Sequence, residues 1–152
     1  MDERAAEFWR RFLKETGRDE TLEPYECFHF HINQAGADEL LQLVLEGKKR
    51  ATCGSVEGAK LQGLRPPQPG DLSVVTDWAG TPKCVIETRS VHILPFQDVS
   101  FDLAGLEGED ENLASWQAGH ERFFTAEGTA LGYAFSPDMP VAFETFEVVY
   151  RG

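Results

Sequence analysis

The first part of the chain repeats its apolar residues at helical spacing and then reaches Gly17, a residue type that commonly ends helices. This pattern predicts an amphipathic N-terminal helix over about residues 2–16. A second helix is expected from Ala37 to Glu46, with Gly47 just past its end. The apolar positions that support the two helices are Ala5, Phe8, Trp9, Phe12 and Leu13 in the first and Leu40, Leu41, Val44 and Leu45 in the second.

From Thr52 onward the pattern changes to that of strands. Asp71–Asp77 and Lys83–Leu94 are rich in β-branched residues, and the turn residues between them, Trp78–Pro82, predict a hairpin. The end of the chain, around 143–150, has apolar residues on both faces, as in a buried or bulged strand.

A third helix is expected between these strands. Leu113, Trp116, His120, Phe123 and Phe124 follow helical spacing after an acidic, cap-rich segment. Strands interrupted by helices without regular alternation predict an α+β domain around a small antiparallel sheet or barrel.

The length and composition favour one domain over residues 1–152. The chain has 152 residues, 41% of them hydrophobic, and no linker or repeat divides it. The only Pro/Gly-rich stretch, Gly63–Gly70, is expected to be a loop inside that domain. A net charge of −12 would repel a phosphate backbone, so no long duplex DNA is expected as a partner.

Cellular location and redox state follow from what the sequence lacks. No apolar run is long enough to span a bilayer, and the N-terminus is acidic and amphipathic instead of leader-like, so we expect no membrane and a cytoplasmic location. The three cysteines are widely spaced and form no CxxC pair, which indicates reduced thiols.

The basic turn Gly47–Ser55 concentrates charge and nucleophiles. We expect Lys48, Arg50 and partial burial to lower the pKa of Lys49, so that it could take the proton of the Thr52 hydroxyl and make Thr52 a nucleophile. This requires Lys49 to lie in the turn before a strand, since residues three apart point to opposite faces of a regular strand. The alternative is a helix stop whose basic residues complement the helix dipole.

A second candidate is the acidic segment Glu107–Glu111, directly before the third helix. If it faces the basic turn, one carboxylate could orient Lys49, hold a substrate amine or move a proton. A divalent cation is a further possibility for such a cluster. The alternative is an acidic helix start in water.

Other candidate side chains give weaker signals. His29 and His31 are expected on one face of a strand, but no metal-binding motif completes them, and we predict neither a metal nor a cofactor. His120 lies on an apolar helix face, as a core histidine or a catalytic acid. Cys53 should point away from Thr52 into the core, and Trp78, at a hairpin tip, could stack on a base.

The order of these motifs resembles that of the ASCH domain family. The resemblance covers nearly the whole chain, from Phe8–Trp9 to Phe143–Phe146. Its most specific element is GxKxxT at Gly47–Thr52, followed by Pro69–Asp71 and Glu107–Glu109.

The resemblance implies a PUA-like β-barrel with flanking helices and a cleft for a nucleobase or an RNA segment. Some members of the family hydrolyse N4-acylated cytidines with a Lys, a Thr and a Glu, which correspond here to Lys49, Thr52 and Glu109. Glu107 competes with Glu109 for the acid role.

Three functions stay open at this point. The first is an amidohydrolase acting on N4-acylated cytidine or a related nucleoside amide, the second a module that binds short single-stranded RNA, and the third a ribonuclease that uses His120 with Lys49. The negative charge favours a small nucleoside over a polymer. The oligomeric state stays undetermined. The residues expected to contact the ligand are Lys48, Arg50, Ser55, Arg65, Trp78, Glu107 and His120.

Overall fold

A computed structural model describes residues 1–31 and 33–152 of the chain. Within that part, none of the helices has both the length and the apolar character needed to cross a membrane. The helices are α1 (Glu3–Thr16), α2 (Gln34–Leu45), α3 (Val56–Leu61), α4 (Phe101–Ala104) and α5 (Leu113–Leu131), with 3-10 turns at Phe96–Asp98 and Gly105–Glu107. The strands are β1 (Cys27–Phe28), β2 (Ala51–Ser55), β3 (Leu72–Thr76), β4 (Pro82–Pro95) and β5 (Pro140–Arg151).

The five strands form one sheet in the order β1-β3-β4-β5-β2. The α+β class is confirmed, but the sheet is not purely antiparallel, because the short β1 pairs parallel to β3. The other neighbouring strands are antiparallel. The bulged character expected of the last strand is confirmed, since the β4–β5 register shifts between Val85 and Ile86 and again between Thr88 and Ser90.

The three helices expected from periodicity are all present. The second begins at Gln34, three residues earlier than expected, because the Asn33 side chain accepts a hydrogen bond from the Gly36 amide and caps the helix. Sequence periodicity missed α3, which has only six residues and depends on one cap: Ser55 Oγ accepts from the Gly58 amide at 2.9 Å. So short a helix shows no repeat that could predict it.

The core consists of three apolar clusters that fix the helices on the sheet. In the first cluster, α1 packs on Val74 and Val85. In the second, α2 packs on strand residues that alternate with these, including Cys84 and Ile86. In the third, α5 packs against β2 and β5. Since alternate residues of a strand face opposite sides, α1 and α2 cover opposite faces of the β3–β4 hairpin.

Candidate functional site

A cleft of about 910 Å³ opens between α2 and α5. Its floor includes Thr52 and Gly54 of β2 together with Ala142 and Glu144 of β5. These four residues share a face of the sheet because Thr52 lies opposite Glu144, and Gly54 opposite Ala142, in the antiparallel register. The volume lies within the range of about 300–1,000 Å³ that is usual for small-molecule sites.

Lys49 enters the wall of this cleft from the connection between α2 and β2, as the Lys–Thr hypothesis required. It is only 2% exposed. Its ammonium donates to the Glu107 carboxylate at 3.0 Å, to the Glu109 carboxylate at 2.8 Å and to the Ala51 carbonyl at 2.9 Å. The structure therefore brings the basic turn and the acidic segment into direct contact.

Two backbone features hold these segments together. The Arg50 amide donates to the Leu106 carbonyl at 2.9 Å, which ties the start of β2 to the acidic segment. Gly108 adopts a left-handed φ of 73° and lies so close to Lys48 that a Cβ on it would be 2.3 Å from the Lys48 carbonyl oxygen. A glycine is needed at this position because it provides both the close approach and the positive φ. Glu107 and Glu109 can then both reach Lys49.

The expected lowering of the Lys49 pKa is wrong. Burial alone would lower the pKa, but the charges of Glu107 and Glu109, and the hydrogen bonds to them, raise it above the usual lysine value. Lys48 and Arg50 are exposed, and the Lys48 ammonium pairs with Glu46 at 3.2 Å. Lys49 is therefore a stable ammonium that donates hydrogen bonds, not a resting base.

Glu107 is the buried acceptor at the centre of this network. One of its oxygens binds Lys49, and the other accepts from Trp116 Nε1 at 2.5 Å and lies 2.9 Å from His120 Nε2. Burial would raise the Glu107 pKa, but the Lys49 charge and the His120 hydrogen bond lower it to about 2. Glu109 is different, since its side chain is 24% exposed at the cleft wall.

His120 has a partner at each ring nitrogen. Nδ1 lies 3.0 Å from the Trp116 carbonyl oxygen and Nε2 2.9 Å from Glu107, and the ring stacks on Trp116 with centroids 4.1 Å apart. Both partners accept hydrogen bonds, so an imidazolium fits the site best. Burial opposes this by lowering the His120 pKa, but the contacts with Glu107 and Trp116 raise it above its usual value.

Cys53 and Ser55, the other two side chains of β2 that could act as nucleophiles, differ in their surroundings. Cys53 is buried, as expected, in the apolar cluster beneath α5. Ser55 is buried at the cleft wall, but its hydroxyl is occupied in capping α3. Thr52 is thus the hydroxyl-bearing residue of β2 that faces the cleft without a capping role.

The other expected ligand contacts lie away from the cleft. Lys48 and Arg50 are exposed on the connection before β2, and neither they nor Arg65 and Trp78 are among the residues that line the cleft. Arg65 forms a bidentate ion pair with Asp71, with one hydrogen bond to each carboxylate oxygen.

The expectation of two histidines on a strand face is wrong. β1 ends at Phe28, and His31 has a left-handed φ of 66°. His29 instead packs against Trp78, with ring centroids 4.7 Å apart. Within residues 1–31 and 33–152, no group of three or more His, Cys, Asp or Glu side chains could hold a metal ion.

Sequence reasoning missed four further carboxylates that line the cleft, Glu26, Glu39, Glu127 and Glu144, and two of them have a raised pKa. Burial and the charge of Glu144 raise the Glu26 pKa to about 7. The Glu144 pKa is also raised, mainly by burial, although a hydrogen bond from Thr88 opposes the shift. A charged residue inside an apolar closing strand is the signal that could have found Glu144; Glu26 precedes a two-residue strand and gives no such signal.

The cleft is acidic as a whole. Among the described residues that line it, seven carry carboxylates and two carry permanent positive charges. The acidic residues are Glu26, Glu39, Glu107, Glu109, Asp110, Glu127 and Glu144, and the basic ones are Lys49 and Arg122.

Solved structures share this fold over almost the full chain. A crystal structure of an ASCH domain from Lactobacillus crispatus JV V101 is 37% identical with a TM-score of 0.88, and it covers 99% of this chain and 97% of its own. The protein EF3133 from Enterococcus faecalis V583 is 32% identical with a TM-score of 0.90, over 99% of this chain and 91% of that one.

A more distant structure, the hypothetical protein PH0355, shares the fold at 13% identity and a TM-score of 0.53. No curated protein matches the chain. The family model described as ASCH domain matches residues 26–150. These matches confirm the α+β, PUA-like fold expected from the sequence. The chain belongs to the ASCH domain family.

Proposed function

We propose that this cleft hydrolyses an acyl amide on the amino group of a nucleobase, with N4-acylated cytidine as the substrate class. One observation carries the proposal: the Lys49 ammonium binds the partly exposed Glu109 carboxylate at 2.8 Å in the same cleft that Thr52 faces. A nucleophile, a positive charge and a proton acceptor thus line one volume that suits a small ligand.

The protonation of Lys49 and Glu109 in the resting site decides which of them accepts the Thr52 proton. Because Lys49 is already an ammonium, the proton of the Thr52 hydroxyl passes to the Glu109 carboxylate as Thr52 Oγ bonds to the acyl carbon. The Lys49 ammonium stabilises the negative charge that develops during this attack. Protonated Glu109 then gives its proton to the departing N4 amine as the C–N bond breaks.

Water completes the cycle. It attacks the acyl ester on Thr52, one proton passes through Glu109 back to Thr52 Oγ, and a carboxylic acid leaves. Glu107 contacts Lys49 from the buried side, so it is a positioning residue here.

The charge of the cleft supports a nucleoside over RNA. Within residues 1–31 and 33–152, seven carboxylates line it, and the basic residues Lys48, Arg50 and Arg65, expected to contact phosphates, lie outside the lining. Such a surface repels a polyanion, whose affinity depends on neutralised phosphates. The ribonuclease alternative is supported less well, since both His120 nitrogens are already held by Glu107 and Trp116.

Incubation with N4-acetylcytidine, with cytidine and acetate followed by chromatography, tests the proposal. We expect Thr52→Val and Glu109→Gln each to reduce kcat by about 100-fold or more, because they remove the nucleophile and the proton acceptor. Thr129→Val, on an exposed position of α5, is the matched control and should leave the rate unchanged. Absence of turnover by the unmodified protein, or full activity of Thr52→Val, would overturn the proposal.

A further inference from the structure

Two half-buried carboxyl groups in the cleft take no part in the mechanism above. Glu26, just before β1, and Glu144, on β5, both line the cleft and are close enough that the Glu144 charge raises the pKa of Glu26. Among the described residues, neither Glu26 nor Glu144 takes part in the ion pairs of the cleft, which join Lys49 to Glu107 and Glu109. Glu144 accepts one hydrogen bond, from Thr88 Oγ1 at 2.8 Å.

Their place relative to Thr52 is fixed by strand pairing. Thr52 and Glu144 are direct cross-strand partners, and their side chains share the cleft face of the sheet. A ligand atom held by Glu144 is therefore a neighbour of the Thr52 hydroxyl.

The floor beside this pair accommodates a flat ring. Gly54 and Ala142 are also directly paired, and their small side chains leave space above the sheet. A Cβ built on Gly54 would meet no atom within 4 Å. The rings of Tyr25, Phe28 and Phe30 line the cleft as well. Small floor residues with aromatic walls are the usual surroundings of a planar ligand.

We propose that Glu26 and Glu144 are specificity-determining residues that together read the hydrogen-bonding edge of a pyrimidine, a proposal that rests on the function proposed above. Glu144 accepts a hydrogen bond from the N4–H of the acylated amine. Glu26, as the carboxylic acid, donates to ring N3.

The chemistry of the two groups fits this assignment. Burial and the Glu144 charge raise the Glu26 pKa to about 7, so near neutral pH Glu26 can hold a proton and act as the donor of the pair. The titratable groups facing the pair are Tyr25, whose hydroxyl donates to the Arg65 carbonyl, and Asp71, which is paired with Arg65. None of them supplies a positive charge directly to either carboxyl.

Along its edge from position 4 to position 2, an N4-acylated cytosine presents a donor and then two acceptors. A uracil edge presents an acceptor, a donor and an acceptor, which would place its O4 against the Glu144 carboxylate. The pair therefore selects acylated cytosine against uracil. Since Glu144 holds N4, the acyl carbon bonded to N4 comes next to Thr52.

Equilibrium binding to the Thr52→Val protein, which cannot turn over the ligand, tests the inference. The probes are N4-acetylcytidine and N4-acetyl-3-deazacytidine, in which a C–H replaces ring N3. With native Glu26 we expect the 3-deaza compound to bind about 10-fold more weakly, because the Glu26 donor then loses its acceptor on the ring. Glu26→Leu should abolish this preference, whereas Glu26→Gln, which retains an N–H donor, should keep it.

The outcomes separate the two proposals. A preference for ring N3 that depends on Glu26, without turnover by the native enzyme, supports the recognition role and overturns the hydrolase proposal. Turnover with an unchanged KM and an unchanged preference for N3 in Glu26→Leu overturns the recognition role alone. Binding of neither probe overturns both. Glu26→Gln is the control for misfolding of Glu26→Leu, because glutamine has nearly the same size and shape as glutamate.

Discussion

Lys49 and Glu107 form an ion pair of 3.0 Å across 58 positions of sequence, with their side chains 1% and 3% exposed. Taking two charges out of water is costly, and the pair is tolerable only because other groups complete its hydrogen bonds. Glu109 and the Ala51 carbonyl do this for Lys49, and Trp116 does it for Glu107. The network therefore joins the α2–β2 connection to α5.

Removing the buried carboxylate should destabilise the whole fold. We expect Glu107→Gln to lower the free energy of unfolding by about 3–5 kcal/mol, since it leaves a buried ammonium with half of its countercharge. Glu109→Gln, at a side chain 24% exposed, should cost clearly less. Urea denaturation of the two variants measures this. Equal losses would contradict the assignment of Glu107 as the buried anchor.

Gly108 gives a second test of how the acidic segment is held. Gly108→Ala would place a Cβ 2.3 Å from the Lys48 carbonyl oxygen, so the segment must move and draw Glu109 away from Lys49. We expect a loss of stability of about 2 kcal/mol or more, together with a lower kcat.

The matched control for Gly108→Ala is Gly17→Ala. Gly17 also has a positive φ, 68°, but a Cβ there would meet nothing within 4 Å. Gly17→Ala therefore introduces backbone strain without a steric clash, so its midpoint of thermal unfolding should fall less than that of Gly108→Ala. A Gly108→Ala protein as stable as Gly17→Ala would show that the close approach to Lys48 is unimportant.

His120 should keep its proton to a higher pH than an ordinary histidine does. Its contacts with Glu107 and Trp116 raise its pKa above the usual histidine value, although burial opposes them. A raised pKa in the folded state means that this stabilisation is complete below about pH 6.5 and is lost as the pH rises through the folded-state pKa. Proton NMR of the imidazole should show that pKa, and Glu107→Gln should lower it. A pKa below 6.5 in the native protein would contradict the imidazolium assignment.

The elements with clear periodicity could be predicted from sequence, and those fixed by a single contact could not. The apolar repeats of α1 and α5 and the hairpin of β3 and β4 appear where the pattern places them. In contrast, α3 depends on one Ser55 cap, and β1 is a two-residue strand paired in parallel with β3.

The candidate site shows the same division. The motif around Lys49 indicated a segment that lines the cleft, and the acidic run indicated the carboxylates that contact Lys49. The sequence could not show that Lys48 and Arg50 face solvent while two carboxylates face Lys49, and this reverses the direction of the expected pKa shift. Glu26 reaches the cleft only through the tertiary fold.

Glu26 should make the protein less stable as the pH rises toward neutrality. Burial and the charge of Glu144 raise its pKa from 4.5 to about 7, so between these two values the folded protein binds a proton that the unfolded chain has released. The free energy of unfolding therefore falls with rising pH across this window and levels off above about pH 7. The loss is on the order of 1–3 kcal/mol.

Glu26→Gln cannot ionise and should remove this contribution. We expect the variant to match the native protein near pH 4.5 and to exceed its stability at pH 8 by the same 1–3 kcal/mol or so. The matched control is Glu23→Gln, three residues earlier on an exposed position, which should leave the pH profile unchanged. Urea unfolding at pH 4.5, 6 and 8 provides the measurement. Parallel profiles for Glu26→Gln and the native protein would contradict the raised pKa, because they would show that Glu26 releases its proton equally readily in the folded and unfolded states.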